Sequence, residues 1–296
     1  HRTLARTVAV RSPRSGTMQK LSTEAVLTLS PDSELGKLLR ASELNLAEVL
    51  TLLSLGRDTQ LVRDALGLRF LCRDTNPGSM VLLTHWHGVA AVEERIEREF
   101  RRFDAFGVGV DWTLFPSPAQ ADLAARLARR GLKQGSARWL IADLDALPTR
   151  PAKGPNLRVA VAESAQAMDD WRHAFGAGFA VTDAVAQHYH DSYVREWRQN
   201  LPGQLRTHYV AYVDDRPVAC AMLLLAYGVA CIWDVATAPE HRRQGYAGFL
   251  TRTALEEAKR KGHKHATLLS SRLGHSVYVA AGFRIECNIP EYRWLP

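Results

Sequence analysis

The stretch "THYVAYVDDRPVACAMLLLAYGVACIWDVAT", Thr207 to Thr237, narrows the possible folds more than any other part of this chain. Three runs rich in Val, Ala, Leu and aromatic residues are broken by Asp214-Asp215 and by Tyr227-Gly228. Short apolar runs joined by two-residue turns predict an antiparallel meander. The uncharged part, Val218 to Trp233, is 16 residues long. A membrane helix needs about 20 apolar residues, and the Tyr-Gly pair divides the run, so two buried strands are expected.

The meander leads directly into "APEHRRQGYAGFLTRTALEEAKRKG", Ala238 to Gly262. From Gly245 to Lys261 the pattern is helical, with Ala247, Leu250, Ala254 and Ala258 on one face. Lys259, Arg260 and Lys261 suit the negative end of the helix dipole, and Gly262 supplies a stop. The other end of such a helix exposes unpaired N–H groups and partial positive charge, a setting that binds phosphate. Gly245 has no Cβ to obstruct an anion, Ala247 keeps the approach open, and Arg242 and Arg243 add charge. Strand, basic loop, glycine and helix together predict a pyrophosphate cradle. The common nucleotide motifs are missing: there is no GxxxxGK[ST], and "FGVGV" at Phe106–Val110 is not followed by a helix pattern.

Around this unit the chain reads as two halves. "DALPTRPAKGPNL", Asp145 to Leu157, holds three prolines and a glycine and is the clearest linker. Beyond it a strand is expected at Leu157–Glu163, helices at Ser164–Phe179 and Thr182–Trp197, a strand at His265–Ser271, a short helix ending at Gly282, and two closing strands flanking Pro290. In the first half, helices are expected at Ser33–Leu55 and Val89–Phe103. Trp112–Leu144 reads as strand, helix, strand, strand. "LARRGLKQGSARWL" (Leu127–Leu140) parallels "VAAGFRIECNIPEYRWL" (Val279–Leu295), since both close a helix on Gly plus a large apolar residue and end in Arg-Trp-Leu. This reads as a degenerate internal duplication.

Composition bounds the alternatives. With 46% hydrophobic and 23% charged residues, the chain is of the globular class. Its net charge of +7 suggests a nucleic-acid partner only until it is located. Residues 1–20 carry Arg2, Arg6, Arg11, Arg14 and Lys20 and no acid, so most of the excess lies in a tail. That tail has no apolar run and is no secretory signal; it reads as an extension ahead of Met18, with a loose likeness to a transit peptide. Cys72, Cys220, Cys231 and Cys287 have no CxxC spacing, which suits buried free thiols and a cytoplasmic setting. The pairs His85/His87, His188/His190 and His263/His265 are too poor in companions to be metal ligands, and no metal is expected. The basic helix within Ser117–Arg130 reads as a solvated face rather than a nucleic-acid contact.

Two motifs carry a resemblance. Arg242-x-x-Gly245-x-Ala247 resembles the R/Q-x-x-G-x-G/A loop of the GNAT superfamily of acyl-CoA N-acyltransferases. "SRLGHSVYVAAGF", Ser271 to Phe283, resembles that family's later N-x-x-A-x-x-x-Y-x-x-x-G-F element: Tyr278, Gly282 and Phe283 match, while Ser271 replaces Asn and Gly274 replaces Ala. The likeness covers roughly residues 157–296. It implies an α+β GNAT fold, a mixed, mostly antiparallel sheet flanked by helices, in two GNAT-like domains. The expected division is a basic tail over 1–20, a degenerate GNAT-like domain over 21–147, a linker over 148–156 and an acyl-CoA-binding domain over 157–296.

The resemblance also implies roles. Acetyl-CoA is the expected acyl donor, held by Arg242, Arg243, Gln244, Gly245, Tyr246, Ala247 and Gly248, with Ser271 nearby. The backbone of Val235, Ala236 and Thr237 would pair with the pantetheine amides and polarise the thioester carbonyl. Tyr278 would return a proton to the leaving thiolate, since a phenol is still protonated at neutral pH. Asp234 is the charged residue in an apolar strand beside the donor site, and burial would raise its pKa toward that of a useful base. Glu240, His241, Glu286, His188 and an ordered water chain are alternatives. Trp171, Phe175, Phe179, Tyr189 and Trp197 are expected to be mostly core, with one or two lining an acceptor pocket. The expected reaction is acetyl transfer to a primary amine of a small molecule by direct attack. The rival readings are a CoA-binding sensor or scaffold without turnover, and an acetyltransferase for protein lysines or N-termini. No membrane or nucleic-acid partner is expected, and a homodimer is allowed.

Overall fold

A computed structural model describes residues 17–54, 58–73, 77–86, 88–117, 119–150, 156–198 and 205–296. Most of the basic tail, His87 and residues 151–155 of the expected linker lie outside the described residues. The chain divides into two compact units, one formed by Lys20–Trp139 with Glu286–Pro296, the other by Leu140–Ile285 with the residues just before Lys20. The division thus falls at 139/140 and not in the proline-rich stretch, and 286–296 count with the first unit, unlike the expected boundaries.

In chain order the first unit carries β1 (Gln19–Leu21), α1 (Thr23–Leu27), α2 (Glu34–Leu53), β2 (Thr59–Asp64), β3 (Gly67–Cys72), β4 (Met80–Leu82), α3 (Val92–Phe106), β5 (Val110–Thr113) and α4 (Gln120–Arg129). The long strand β6 (Lys133–Asp143) leads into the second unit. There follow β7 (Leu157–Val161), α5 (Ala165–Phe179), α6 (Asp183–Arg198), β8 (Arg206–Val213), β9 (Arg216–Ala226), β10 (Val229–Thr237), α7 (Tyr246–Arg260), β11 (His265–Leu269) and α8 (His275–Ala281). The last strand, β12 (Ile285–Trp294), closes the order.

The second unit is built on the meander. β7, β8, β9 and β10 pair antiparallel in sequence, and β10 then pairs parallel with β11. Both hairpin turns have two left-handed residues, Asp214 and Asp215 at φ 48 and 59, Tyr227 and Gly228 at φ 55 and 77. That is the twist two-residue hairpins need. α5 begins where Ser164 caps it, its hydroxyl accepting from Ala167 N at 3.1 Å. α7 packs its Leu250, Ala254, Leu255 and Ala258 onto Ala230, Ile232, Ala219 and Ala221 of the sheet. These small sheet residues let the helix lie close.

The first unit repeats the plan. β2, β3 and β4 pair antiparallel, β4 pairs parallel with β5 across α3, and α4 follows β5 as α8 follows β11. The duplication read from Leu127–Leu140 and Val279–Leu295 is therefore carried by equivalent elements. Two strand expectations need correction. Residues 133–143 form one strand, not two, and β12 runs unbroken through Pro290. Proline fits there because its carbonyl, not a missing N–H, is used: it accepts from Leu114 N at 2.9 Å. The four cysteines are buried free thiols. No described helix is long and apolar enough to cross a membrane.

Candidate functional site

The loop between β10 and α7 is shaped by two left-handed residues. A short 3-10 turn, Pro239–His241, is followed by Arg243 at φ 63 and Gly245 at φ 84. Alternation of this kind turns successive N–H groups toward one concavity. Gly245 is the N-cap of α7, and no side chain caps the helix. The N–H groups of Arg243, Gln244, Gly245, Tyr246, Ala247 and Gly248 have no acceptor among the described residues. Around Gly245 an added Cβ would meet nothing within 4 Å, so space for an anion is open. No acidic residue lies in the first turn of α7.

The side chains of this loop are used differently from the expectation. Arg242 does not reach outward: it donates to Thr237 O at 3.2 Å and to Gly178 O at 2.9 Å, stapling the loop to β10 and α5. Gln244 accepts from the Tyr246 hydroxyl at 2.8 Å, and Tyr246 is itself buried. Arg243 is exposed and has no ion-pair partner among the described residues. Ser271 accepts from Gly274 N at 3.1 Å, which shapes the turn before α8. What this loop turns toward open space is thus chiefly main-chain N–H groups, with Arg243 as its exposed charge.

β10 parts from β11 beside this loop. Their parallel register includes Ala230 with Ala266 and Cys231 with Thr267, while Ala236 and Thr237 remain paired with Cys220 and Ala219 of β9. Between Trp233 and Ala236 the β9 register slips. Two residues there oppose one, a β-bulge, and Asp234 takes φ 54. α5 comes down on the strand end through Gly178, where a Cβ would lie 2.6 Å from Ala236 Cβ and 2.8 Å from Thr237 N. The Thr237 hydroxyl is buried without a hydrogen-bond partner among the described residues.

Asp234 accepts a hydrogen bond from the Tyr193 hydroxyl at 2.8 Å. Burial pushes its carboxyl up to about 7; the Tyr193 bond and the charge of Arg206 oppose that rise. Tyr193 is held by rings on three sides, Trp171 at 5.4 Å, His208 at 4.6 Å and Tyr189 at 6.1 Å between centroids. Burial drives His208 down to about 3, so it is neutral at physiological pH. Tyr278 sits in α8, buried, edge-on to Phe283 at 6.2 Å. Burial raises its phenol to about 12, and its hydroxyl has no hydrogen-bond partner among the described residues. Gly274 makes room for it: a Cβ there would stand 2.7 Å from Tyr278 Cε2.

Among the other candidates, Glu286 belongs to the first unit, in ion pairs with Lys20 at 3.8 Å and Arg138 at 3.7 Å. Glu240 and His241 lie on the turn ahead of the loop, 4.0 Å from each other. His188 sits on α6 with its ring against Tyr189. Trp171, Phe175 and Tyr189 are core, whereas Phe179 is 40% exposed at the end of α5. Trp197 lines a 630 Å³ cavity with Arg206, His208 and Glu257. Sequence reasoning missed Tyr193, Arg206, Gly178 and the packing role of Gly274. A tyrosine in an amphipathic helix gives no signal of the strand residue it will meet. No group of His, Cys, Asp and Glu among the described residues could hold a metal ion.

The first unit shows the same plan with a different strand end. After β4, Leu83 is left-handed at φ 59, as Asp234 is at the bulge of β10. Its N–H, however, donates to the buried Glu43 carboxylate at 2.7 Å, a partner from α2. The crossover helix α3 begins with Glu93 and Glu94 in its first turn, which disfavours an anion there.

Residues 166–283 match the model of the Acetyltransferase (GNAT) family. Curated proteins yield no match. Among solved structures, a GCN5-related N-acetyltransferase from Kribbella flavida is similar at 18% identity, covering 87% of this chain and 95% of that one with TM-score 0.59. A tandem GNAT protein from the clavulanic acid biosynthesis pathway is similar at 16% identity, covering 90% and 97% with TM-score 0.60. A GCN5-related N-acetyltransferase from Sphaerobacter thermophilus is similar at 13% identity, covering 92% and 88% with TM-score 0.57. At these identities the likeness is one of fold. The match to the acetyltransferase (GNAT) family model thus lies within the second unit, and the fold is a GNAT fold like that of the tandem GNAT protein.

Proposed function

We propose that the protein is an N-acetyltransferase that moves an acetyl group from acetyl-CoA to a primary amine of a small molecule by direct attack in a ternary complex. One observation carries this reading: the consecutive N–H groups of residues 243–248, without acceptors, open onto free space at Gly245. Such a row of donors at a helix start fits a diphosphate, and Arg243 adds a mobile charge. The edge of β10 beyond its pairing with β11 offers main-chain groups to the pantetheine arm, and the buried Thr237 hydroxyl fits the same polar strip.

Asp234 acts as the base. A carboxylate with pKa near 7 is ionised often enough to take a proton from an ammonium ion and strong enough to hold it. The freed amine nitrogen attacks the thioester carbonyl to give a tetrahedral intermediate. As it collapses the C–S bond breaks, Tyr278 gives its phenolic proton to the sulfur, and the second proton shed by the nitrogen as the amide forms restores the phenol, while the proton on Asp234 leaves to solvent. Burial keeps that phenol protonated until the thiolate forms. The exposed ring of Phe179, beside the Gly178 contact with β10, offers apolar surface to a small acceptor. The first unit does not bind the donor, because Glu43 already takes the Leu83 N–H and Glu93 and Glu94 lie in the first turn of α3.

The test is calorimetry of the full chain with acetyl-CoA, followed by a panel of primary amines assayed by release of free thiol. Binding with turnover of a small amine is expected. Absence of acetyl-CoA binding would remove the enzymatic reading altogether.

A further inference from the structure

The assignment below rests on the reading of Asp234 as the base. Asp234 is approached from α6, β8 and β9. From α6, Tyr193 donates to Oδ2 at 2.8 Å; Tyr189 is the neighbouring phenol, 6.1 Å from Tyr193 between centroids. From β8 come the buried guanidinium of Arg206, itself ion-paired with Glu196, and the neutral ring of His208. From β9, the Cys220 thiol donates to Asp234 O at 3.3 Å, and burial raises that thiol far enough to keep it neutral.

Two features make the Tyr193 contact more than a satisfied pair. Tyr193 is 1% exposed and its ring is clamped by Trp171, His208 and Tyr189, so the hydroxyl cannot swing aside. The bulge and the left-handed backbone at Asp234 turn the carboxylate toward it, and only Oδ2 is engaged; Oδ1 has no partner among the described residues. We propose that Tyr193 is a positioning residue for acyl transfer: its clamped hydroxyl grips Asp234 by Oδ2 and presents Oδ1 to the acceptor amine. Removing the hydroxyl takes away a hydrogen bond that favours the carboxylate, leaving burial opposed by Arg206 alone.

The experiment titrates the aspartate carboxyl carbons of the full chain by 13C NMR, with Asp234→Asn identifying the signal of Asp234. In parallel, thiol release from acetyl-CoA is followed against pH with tyramine, spermidine and glucosamine as probe amines. In Tyr193→Phe the Asp234 midpoint, near 7 in the parent protein, is expected to rise by about one to two pH units, the loss of one hydrogen bond to a charged group. Turnover at pH 7 falls roughly 5- to 50-fold in step with the lost carboxylate. Trp171→Phe alters the same ring cluster without touching the hydroxyl and leaves the midpoint in place. Replacing tyrosine throughout with 3-fluorotyrosine strengthens the donor without truncation and moves the midpoint down, which covers the case in which Tyr193→Phe does not fold. An unmoved midpoint in both substituted proteins overturns the proposal, as does an equal shift in Trp171→Phe. Full turnover by Asp234→Asn overturns the reading of the base instead, and the NMR result still decides the grip.

Discussion

Replacing Asp234 by Asn separates the cost of the site from its use. The folded protein holds this carboxyl near 7 against an ordinary 3.8, chiefly because burial disfavours the ion. Three units at about 1.4 kcal/mol each give on the order of 4 kcal/mol of destabilisation once the group is fully ionised. The sign follows from the direction. A folded pKa above the unfolded one means that this group's contribution is complete below pH 4 and is lost as pH rises through 7. The amide keeps an oxygen for the Tyr193 hydroxyl but cannot ionise. Asp234→Asn should therefore match the parent near pH 4 and become more stable than it at pH 8, with most of the gap opening between those values. Chemical denaturation at fixed pH steps measures it. Thiol release with an active amine should fall about 10²- to 10⁴-fold, the contribution of a general base. Equal stability of the two proteins at pH 8 would refute the burial argument, and retained turnover would refute the role.

Three further outcomes follow from the same geometry. Ala247→Glu places an acid in the first turn of α7; it should stabilise the protein by about 0.3–1 kcal/mol while abolishing acetyl-CoA binding, and unchanged binding by calorimetry would contradict the cradle. Tyr278→Phe should leave acetyl-CoA affinity intact and lower turnover about 100-fold or more; Gly274→Ala, whose Cβ would press on the same ring at 2.7 Å, should lower turnover in the same direction, and full activity in both would remove Tyr278 from proton return. Calorimetry should give one acetyl-CoA per chain, because the strand end of the first unit is already occupied by Glu43; two sites would show that Glu43 yields to ligand.

The parts of this protein legible in its sequence are those where local chemistry decides. The hairpins at Asp214-Asp215 and Tyr227-Gly228, the Ser164 cap and the extent of α7 follow from turn residues, a hydroxyl and a 3.6-residue period, and each lies within a residue or two of its expected place. The loop ahead of Gly245 was legible for the same reason. What could not be read depends on partners distant in sequence. Arg242 looked like a free charge beside a phosphate site, yet two carbonyls take it. Pro290 looked like a break, yet the strand continues because only its carbonyl is needed. Tyr193 and Asp234 are 41 positions apart, and nothing short of the folded sheet brings them together.

The first unit depends on residues that are translated after the second. Its strand β5 pairs with β12, with Tyr292 opposite Trp112 and Arg293 fixed to Asp111 at 2.7 and 2.5 Å. Trp294 stacks on Phe100 of α3 at 5.3 Å. Emerging from the ribosome, residues 20–139 must therefore wait, with an open sheet edge, until all of 140–285 has been translated. Of the two halves, the one that leaves the tunnel earlier closes later, and a nascent chain stalled before residue 286 would offer chaperones that uncovered edge.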